Sequence, residues 1–198
     1  ANNEEVKEKA VKTLREFGVG SGGVRILTGT FEIHKELESL LAKITGHEDA
    51  LTIPSGYGTN IGVIPGVMNP LNFAEKMGLP GAVIYNDAYN HASIVDGNML
   101  SGAKVIRYNH LDCVDLCEKI SDVNDKSFRK LIITDCVFSM DGDVAPLGEI
   151  YNIAKQNDAL LMVDDAHGFG ALGIDGGGTA VSLDLKGKVD INMGTFSK

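Results

Sequence analysis

The residues with the clearest potential for chemistry lie where apolar stretches of the sequence end. Lys198 follows the apolar run VDINMG and the hydroxyl side chains of Thr195 and Ser197. Asp164 comes directly after four apolar residues, 160–163. A lysine can serve as a nucleophile or a base, and a carboxylate at the end of a buried strand needs a partner. The sequence therefore raises two questions: what partner Asp164 has, and whether Lys198 lies beside it.

Two kinds of partner for Asp164 are compatible with its sequence context. The stretch VDDAHGFG would offer a metal ion the side chains of Asp164, Asp165 and His167, although no further His or Cys cluster completes a coordination sphere. A protonated heterocycle is the alternative. Between Asp164 and Lys198 the chain is long enough for one crossover connection, which needs about a dozen residues or more. We therefore expect the carboxylate and the amine to meet at one edge of a sheet.

Three further loops carry polar residues or glycines near predicted strand ends. PSGYGTN places Gly56 and Tyr57 at the start of a predicted helix, whose free N–H groups could hold a phosphate, but alone it is better explained as an ordinary strand-to-helix turn. His91 in NDAYNHAS would by itself be a cap or a surface residue. Ser139 lies in VFSMDGD, whose two aspartates are typical of a turn. Each of these signals is weak when taken alone.

The elements that must position these residues alternate between helical and strand patterns. An amphipathic helix is predicted over residues 3–17, with Asn2 or Asn3 as its N-cap. A second helix is predicted to begin at Thr30 and to stop at Gly46. Further helical patterns cover residues 110–121 and 146–157. Six short runs with few charges predict strands: DALTIP, GAVIY, AKVIRY, KLIITDCVF, ALLMVDD and VDINMG. The sequence therefore predicts an α/β fold with a mostly parallel sheet and helices on both faces.

Composition argues against several classes of partner. The net charge is −9, with Lys and Arg scattered along the chain, so no basic surface for nucleic acid or anionic lipid is expected. No apolar run approaches the roughly 20 residues of a membrane span, and the start ANNEEVKEKA does not resemble a signal peptide. Cys113, Cys117 and Cys136 form no disulfide framework and are expected to be reduced. We therefore expect a cytoplasmic protein without nucleic-acid or membrane partners.

Ligands in open α/β sheets bind beyond the carboxyl ends of the strands, where these loops converge. A phosphate cradle, a buried carboxylate and a lysine together meet the needs of pyridoxal 5′-phosphate, which forms a Schiff base with a lysine and needs a protonated pyridine nitrogen. The sequence also resembles the α-oxoamine synthases, a fold-type I family of pyridoxal-phosphate enzymes. The resemblance is carried, in this order, by GSGGVRILTGTFEIHKELE, PSGYGTN, NHASIVDG, VFSMDGDVAPL, VDDAHGFGALG and GTFSK. It covers nearly the whole chain and implies the large domain of a fold-type I transferase.

The resemblance implies roles for the residues at the matching positions. Lys198 matches the Schiff-base lysine, which also removes the α-proton of the bound amino acid. Asp164 matches the acid that pairs with the pyridinium nitrogen, and His91 matches the histidine that stacks on the ring; these three residues are the expected catalytic set. The other cofactor-binding positions are Gly56 and Tyr57 in the loop that flanks the cofactor, Ser139 in its pocket, His167 near the phenolic oxygen and Thr195 at the phosphate. No metal is expected.

The implied reaction is a decarboxylating or non-decarboxylating Claisen condensation of an amino acid with an acyl-CoA, which gives an α-oxoamine and free CoA. Glycine with a short acyl-CoA is favoured on the overall pattern. GTFEIHKELE, NHASIVDG and GTFSK are similar to glycine C-acetyltransferase or serine palmitoyltransferase, and 8-amino-7-oxononanoate synthases share VFSMDGD and VDDAHG. A pyridoxal-phosphate aminotransferase, a noncatalytic fold-type I domain and the metal-dependent hydrolase remain as alternatives.

The resemblance also sets expectations for the organisation of the chain. Residues 1–30 are expected to form an amino-terminal helix and a glycine-rich connector, and residues 31–198 an incomplete cofactor-binding large domain. In the family a small domain follows the lysine, so the chain is expected to be an internal piece of a longer, homodimeric protein. The segment 68–83 is longer than the family's usual link and is expected to reshape the substrate entrance.

Overall fold

The larger part of the chain is built on a parallel β-sheet. The computed structural model describes residues 2–69, 76–78, 81–122 and 129–198. The strands are β1 Ala82–Asp87, β2 Lys104–Tyr108, β3 Arg129–Asp135, β4 Leu160–Asp164 and β5 Ile191–Met193. Within the described residues they pair in the order β2-β1-β3-β4-β5, and every pairing is parallel. The carboxyl ends of all five strands therefore lie at one edge of the sheet.

Helices precede and separate the strands. They are α1 Glu4–Phe17, α2 Glu32–Thr45, α3 Gly56–Met68, α4 Ala92–Ser101, α5 Cys113–Asp122, α6 Leu147–Gln156 and α7 Thr179–Ser182, with a 3₁₀ turn at Ile174–Gly176. Asn3 caps α1 by accepting a hydrogen bond from the Val6 N–H, and Gly18 follows its end. The predicted first helix is therefore confirmed together with its cap. No described helix combines the length and the apolar character needed to cross a bilayer.

Helices cover both faces of the sheet. On one face the strands pack against α3 and α4, through Ile84, Leu131, Ile133 and Met162 with Ile64, Met68 and Ile94. On the other face they pack against α5 and α6, through Val83, Tyr85, Ile132 and Leu161 with Leu116, Ile120, Leu147 and Ile150. Because both faces of β1, β3 and β4 are buried, these strands contain continuous apolar runs rather than alternating ones, whereas β2 at the edge of the sheet is mostly exposed. The predicted α/β fold is confirmed.

Two strand predictions need correction. DALTIP, residues 49–54, is not a strand: the Thr52 N–H donates to the Glu38 carboxylate and the Thr52 carbonyl accepts from Arg25, so side chains replace a sheet ladder there. KLIITDCVF is a strand only as far as Asp135, because the chain then turns back and Val137 forms an isolated antiparallel bridge with Val144. Of the segment 68–83, residues 70–75 and 79–80 lie outside the described residues.

The chain divides into two compact units. One comprises Ala1–Ala42 and Asp49–Thr52, and the other comprises Lys43–Glu48 and Ile53–Lys198. The larger unit contains the whole sheet and the carboxyl ends of its strands. The domain boundary at residue 30, drawn from the sequence, stays a prediction.

Arg25 and Glu38 join the glycine-rich connector to α2 within the smaller unit. The Arg25 guanidinium donates to both Glu38 carboxylate oxygens, at 2.8 and 2.9 Å, and to the Thr52 carbonyl at 3.1 Å. The Glu38 carboxylate also accepts from the Thr52 N–H at 2.7 Å. Burial would raise the pKa of Glu38, but the hydrogen bonds from Thr52 and Arg25 outweigh it and lower that pKa. Glu38 is therefore a buried charge that depends on its partners.

We expect Arg25→Ala to lower the free energy of unfolding by about 3 kcal/mol, because it leaves the Glu38 carboxylate buried without its charge partner. Arg15→Ala on the exposed surface of α1 is the matched control and should change that free energy by less than about 0.5 kcal/mol. Chemical denaturation measures both variants. Equal, small effects of the two substitutions would show that the ion pair contributes nothing.

Candidate active site

A cavity of about 160 Å³ lies at the carboxyl edge of the sheet. Strand ends supply three of its lining residues, because Asp135 closes β3, Asp164 closes β4 and Met193 closes β5. The structure also brings every residue of the predicted site to this one cavity. These residues are Gly56, Tyr57, His91, Ser139, Asp164, His167, Thr195 and Lys198. Their roles in chemistry stay predictions, but their proximity is a property of the fold.

The start of α3 forms one wall of the cavity. Ser55 caps the helix, since its hydroxyl accepts the Gly58 N–H at 2.9 Å. This leaves the N–H groups of Gly56 and Tyr57, the first residues of the helix, outside the helical hydrogen-bond pattern. The Tyr57 hydroxyl donates to Asp96 at 2.7 Å, which fixes the direction of its half-exposed ring. The predicted helix start is confirmed, although no strand precedes it.

Asp164 is the most deeply placed predicted residue, at 4% exposure. One carboxylate oxygen accepts the Ala166 N–H at 3.1 Å, and the other accepts the Asn60 side-chain amide at 2.8 Å. Burial raises the pKa of Asp164, and the hydrogen bonds from Asn60 and Ala166 oppose that effect. None of the ion pairs formed among the described residues involves Asp164. Among the described residues, the Asp164 carboxylate is therefore held at the cavity by hydrogen bonds and not by an ion pair.

Asp135 is a second carboxylate in the cavity, and the sequence analysis missed it. It lies beside Asp164 on the neighbouring strand and is 7% exposed. Burial, reinforced by the charge of Asp164, raises the pKa of Asp135 to about 7, although the His91 N–H donates to it at 3.1 Å. The sequence held a weaker signal than for Asp164, because Asp135 follows the apolar residues 131–133 with Thr134 between them.

His91 is the N-cap of α4, and two donors meet its Nδ1 atom. The Ser93 N–H lies 3.2 Å from Nδ1, and the Ser93 hydroxyl lies 2.7 Å from it. The Ser93 hydroxyl in turn accepts the Asn60 amide at 2.9 Å. His91 is therefore both a helix cap and a residue of the cavity wall, and its stacking role stays a prediction.

Ser139 reaches the cavity from a tight turn after β3. The Phe138 N–H donates to the Asp143 carbonyl at 2.9 Å, and the Gly142 N–H donates to the Phe138 carbonyl at 2.8 Å. His110 fastens this turn, because its two ring nitrogens lie 2.9 Å from the Asp87 carboxylate and 3.3 Å from that of Asp143. The turn prediction for VFSMDGD is confirmed.

The His110 ring is also held by aromatic contacts. It stacks on Tyr89, with centroids 4.3 Å apart, and meets the Phe138 ring edge to face at 4.4 Å. Burial would lower the pKa of His110, but the hydrogen bonds to Asp87 and Asp143 outweigh it and raise that pKa. Folding therefore favours the protonated form of the His110 ring relative to the unfolded chain.

Thr195, Ser197 and Lys198 close the cavity after β5. The two hydroxyl groups lie 2.8 Å apart, and the Ser197 N–H donates to the Thr195 hydroxyl at 3.2 Å. Lys198 is exposed and lies at the cavity wall. Lys198 and Asp164 therefore line the same cavity at one edge of the sheet.

The hydrogen bonds of Asp165 indicate a structural role rather than that of a metal ligand. Its carboxylate accepts the Thr179 hydroxyl at 2.5 Å and the Thr179 N–H at 2.7 Å. Burial raises its pKa, and the contacts to Thr179 and Cys136 oppose that effect. Among the residues that the structure describes, no three His, Cys, Asp or Glu side chains come together as metal ligands. Asp165 therefore anchors the turn after β4.

The residues around the cavity fit a cationic heterocycle that carries an anionic group. Asp164 supplies a buried negative charge, and Lys198 supplies an amine. The helix start at Gly56 and the hydroxyls of Thr195 and Ser197 offer donors of the kind that bind phosphate. This donor set suits a ring with a phosphate arm better than it suits a metal ion.

Comparison with known proteins places the chain among cofactor-dependent transferases. Residues 1–198 match the model of the family called aminotransferase class I and II. The 8-amino-7-oxononanoate synthase of Lysinibacillus sphaericus is 46% identical over 198 residues, which are 100% of this chain and 48% of that protein. The chain thus spans about half the length of the curated relatives that it matches.

Solved structures agree with this placement. Serine palmitoyltransferase of Sphingomonas wittichii matches with a TM-score of 0.89 and 34% identity, over 100% of this chain and 47% of that one. The S. paucimobilis serine palmitoyltransferase with bound PLP–myriocin aldimine matches with a TM-score of 0.88 and 33% identity, over 99% of this chain and 46% of that one.

Asp135→Asn should change how stability depends on pH. The pKa of Asp135 rises on folding to about 7, so the folded state binds its proton more tightly and stability falls as the pH rises from about 4 to about 7. The variant should remove this slope and be more stable than the parent at pH 8, by a few kcal/mol at most, since one pKa unit is about 1.4 kcal/mol. Denaturation without cofactor at pH 5 and pH 8 measures this. A variant that is less stable at pH 8 would contradict it.

His110→Asn should cost more stability at pH 6 than at pH 9. Because the folded pKa of His110 is raised, its contribution is complete below the unfolded pKa of about 6.5 and is lost as the pH rises through the folded value. Asp143→Asn, which removes one of the two carboxylates, should weaken the same pH dependence. Thermal unfolding across this pH range measures both variants, and a loss that is equal at both pH values would refute the assignment.

Proposed function

Because the chain belongs to the aminotransferase class I and II family, we propose that the protein is a pyridoxal 5′-phosphate-dependent acyltransferase. It condenses an amino acid with an acyl-CoA to give an α-oxoamine and free CoA. The relatives and structures that match the chain are α-oxoamine synthases, so the resemblance carried by the six motifs is confirmed. Their reaction is the basis of the proposal for this chain.

One observation carries the proposal: Asp164 is a buried carboxylate in a cavity that Lys198 also lines. A buried charge needs an opposite charge. A protonated pyridine nitrogen would give Asp164 that partner, and the carboxylate would in return keep the nitrogen protonated. The amine of Lys198 would hold the cofactor covalently.

Other residues of the cavity would hold the remaining parts of the cofactor. We assign the ring face to His91, the phenolic oxygen to His167 and a pocket contact to Ser139. The phosphate would bind to the Thr195 hydroxyl and to the N–H groups at the start of α3, where the helix dipole favours negative charge. These assignments follow the family resemblance and agree with the cavity lining.

The chemistry divides between the cofactor and the side chains. When bound, pyridoxal 5′-phosphate supplies an electron sink for the electron pair that remains at the α-carbon of the amino acid. The amine of Lys198 would accept the α-proton. Asp164 stabilises the positive charge on which the electron sink depends. Over the whole reaction the α C–H bond breaks, a bond forms between the α-carbon and the acyl carbon, and the thioester C–S bond breaks, so that the α-proton balances CoA leaving as the thiol. In a decarboxylating reaction the bond to the carboxylate also breaks, CO₂ leaves and a proton takes its place.

The names of the relatives suggest the order in which substrates should be tested. Synthesis of 8-amino-7-oxononanoate comes first, because the 46% identical relative carries that activity in its name. Glycine with a short acyl-CoA, favoured by the motif pattern, comes second. We propose a homodimer, as in the family, and the expected cytoplasmic location stays a prediction.

Borohydride reduction of the cofactor-loaded protein should leave a pyridoxyl group on the peptide that contains Lys198, detectable by mass spectrometry. Lys198→Ala should abolish the adduct and lower the rate of CoA release by about 10²–10⁴-fold, because it removes the base as well as the covalent anchor. Lys188→Ala, an exposed lysine outside the cavity, is the matched control and should change neither result. Transfer of an amino group to a keto acid without release of CoA would replace the acyltransferase proposal by the aminotransferase alternative.

A further inference from the structure

A chain of buried polar groups runs behind the cavity from Asp164 to His91. The Asn60 side-chain amide bridges the Asp164 carboxylate, at 2.8 Å, and the Ser93 hydroxyl, at 2.9 Å. The Ser93 hydroxyl continues to Nδ1 of His91 at 2.7 Å. Asn60 and Ser93 are 0% and 1% exposed, so solvent does not compete for these contacts.

The direction of each hydrogen bond follows from what the groups can donate. An ionised carboxylate only accepts, so the Asn60 atom that faces Asp164 must be the amide nitrogen. That nitrogen uses its second hydrogen on the Ser93 oxygen. The Ser93 backbone N–H can only donate, so Nδ1 of His91 must be an acceptor without a proton. The Ser93 hydroxyl then gives its own hydrogen to Nδ1.

Asn60 has a feature that supports a role in the site. Its side-chain oxygen is buried and has no hydrogen-bond partner among the described residues. An unpaired buried acceptor destabilises a fold, and an apolar residue at this position would avoid that cost. Both N–H groups of the same amide are used, one on the Asp164 carboxylate and one on the Ser93 hydroxyl. The two hydrogen bonds that the Asn60 amide donates therefore explain why an asparagine, rather than an apolar residue, suits this position.

We propose that Asn60 and Ser93 are positioning residues that fix Asp164 and His91 for the cofactor. Asn60 holds the Asp164 carboxylate in its ionised form at the cavity. Ser93 keeps His91 in the tautomer that carries its proton on Nε2, so that the ring presents a neutral face to the cavity. This inference rests on the proposed function, because it assigns the two residues to the pyridoxal-phosphate site.

The first test measures cofactor affinity in the complete protein by absorbance titration with pyridoxal 5′-phosphate. Asn60→Ala should raise the dissociation constant by about 10- to 100-fold, because it removes a hydrogen bond to a buried charge. The dissociation constant should also become more dependent on pH between 5 and 8, because Asp164 loses a contact that favours its ionised form. Ser93→Ala removes the hydroxyl that lies between the Asn60 amide and Nδ1 of His91. Ser93→Thr, which keeps a hydroxyl, should restore the parent affinity for the cofactor.

Asn98→Ala is the matched control. Asn98 is also a buried asparagine with an unpaired side-chain oxygen among the described residues, and its amide donates to Asn86, away from the cavity. This variant should lose stability without a change in cofactor affinity. An Asn60→Ala protein that binds the cofactor as tightly as the parent, with the same pH dependence, would overturn the role of Asn60.

A second readout does not depend on the cofactor. Nitrogen-15 NMR of histidine-labelled protein should show His91 with its proton on Nε2, whether or not cofactor is added. The opposite tautomer would overturn the role of Ser93. If the parent protein binds no pyridoxal 5′-phosphate but His91 carries its proton on Nε2, the proposed function fails and the hydrogen-bonded network stands. If the parent protein binds the cofactor but His91 carries its proton on Nδ1, the proposed function stands and the role of Ser93 fails.

Discussion

The site depends on the placement of a carboxylate at the end of a buried parallel strand. Burial at 4% exposure raises the pKa of Asp164, so its ionised form depends on hydrogen-bond donors and on nearby positive charge. The fold supplies two donors, from Asn60 and Ala166, and leaves the side toward the cavity for a ligand. In the proposed function, the protonated pyridine nitrogen of the cofactor is the cationic partner of Asp164.

Strand-terminal aspartates also organise the loops around the cavity. Asp87 at the end of β1 accepts the N–H groups of Tyr89 and Leu111, and Asp135 at the end of β3 accepts that of His91. Asp165, just after β4, accepts that of Thr179. Each carboxylate therefore fixes a loop that follows a strand, and the loops carry the side chains of the site. Since several carboxylates crowd one edge, burial and mutual repulsion raise the pKa of Asp135.

The sequence predicted the parts of the fold that local pattern determines. Helix α1 with its Asn3 cap and the strand that ends at Asp164 follow from periodicity and capping chemistry. The strand prediction for DALTIP was wrong. Its apolar composition matches a strand, but Arg25 and Glu38, which are distant in sequence, form the hydrogen bonds of the Thr52 backbone. The roles of Asn60 and Ser93 were not predicted for the same reason, since a hydrogen bond between residues that are 33 positions apart leaves no local pattern in the sequence.

The protonation state of the cofactor's pyridine nitrogen tests the account most directly. Nitrogen-15 NMR of the protein loaded with pyridoxal 5′-phosphate, labelled at that nitrogen, reports whether the atom carries a proton. The account predicts a protonated nitrogen near neutral pH in the parent protein and an unprotonated one in Asp164→Ala. An unprotonated nitrogen in the parent, or a protonated one in both proteins, would show that the buried carboxylate does not serve the cofactor.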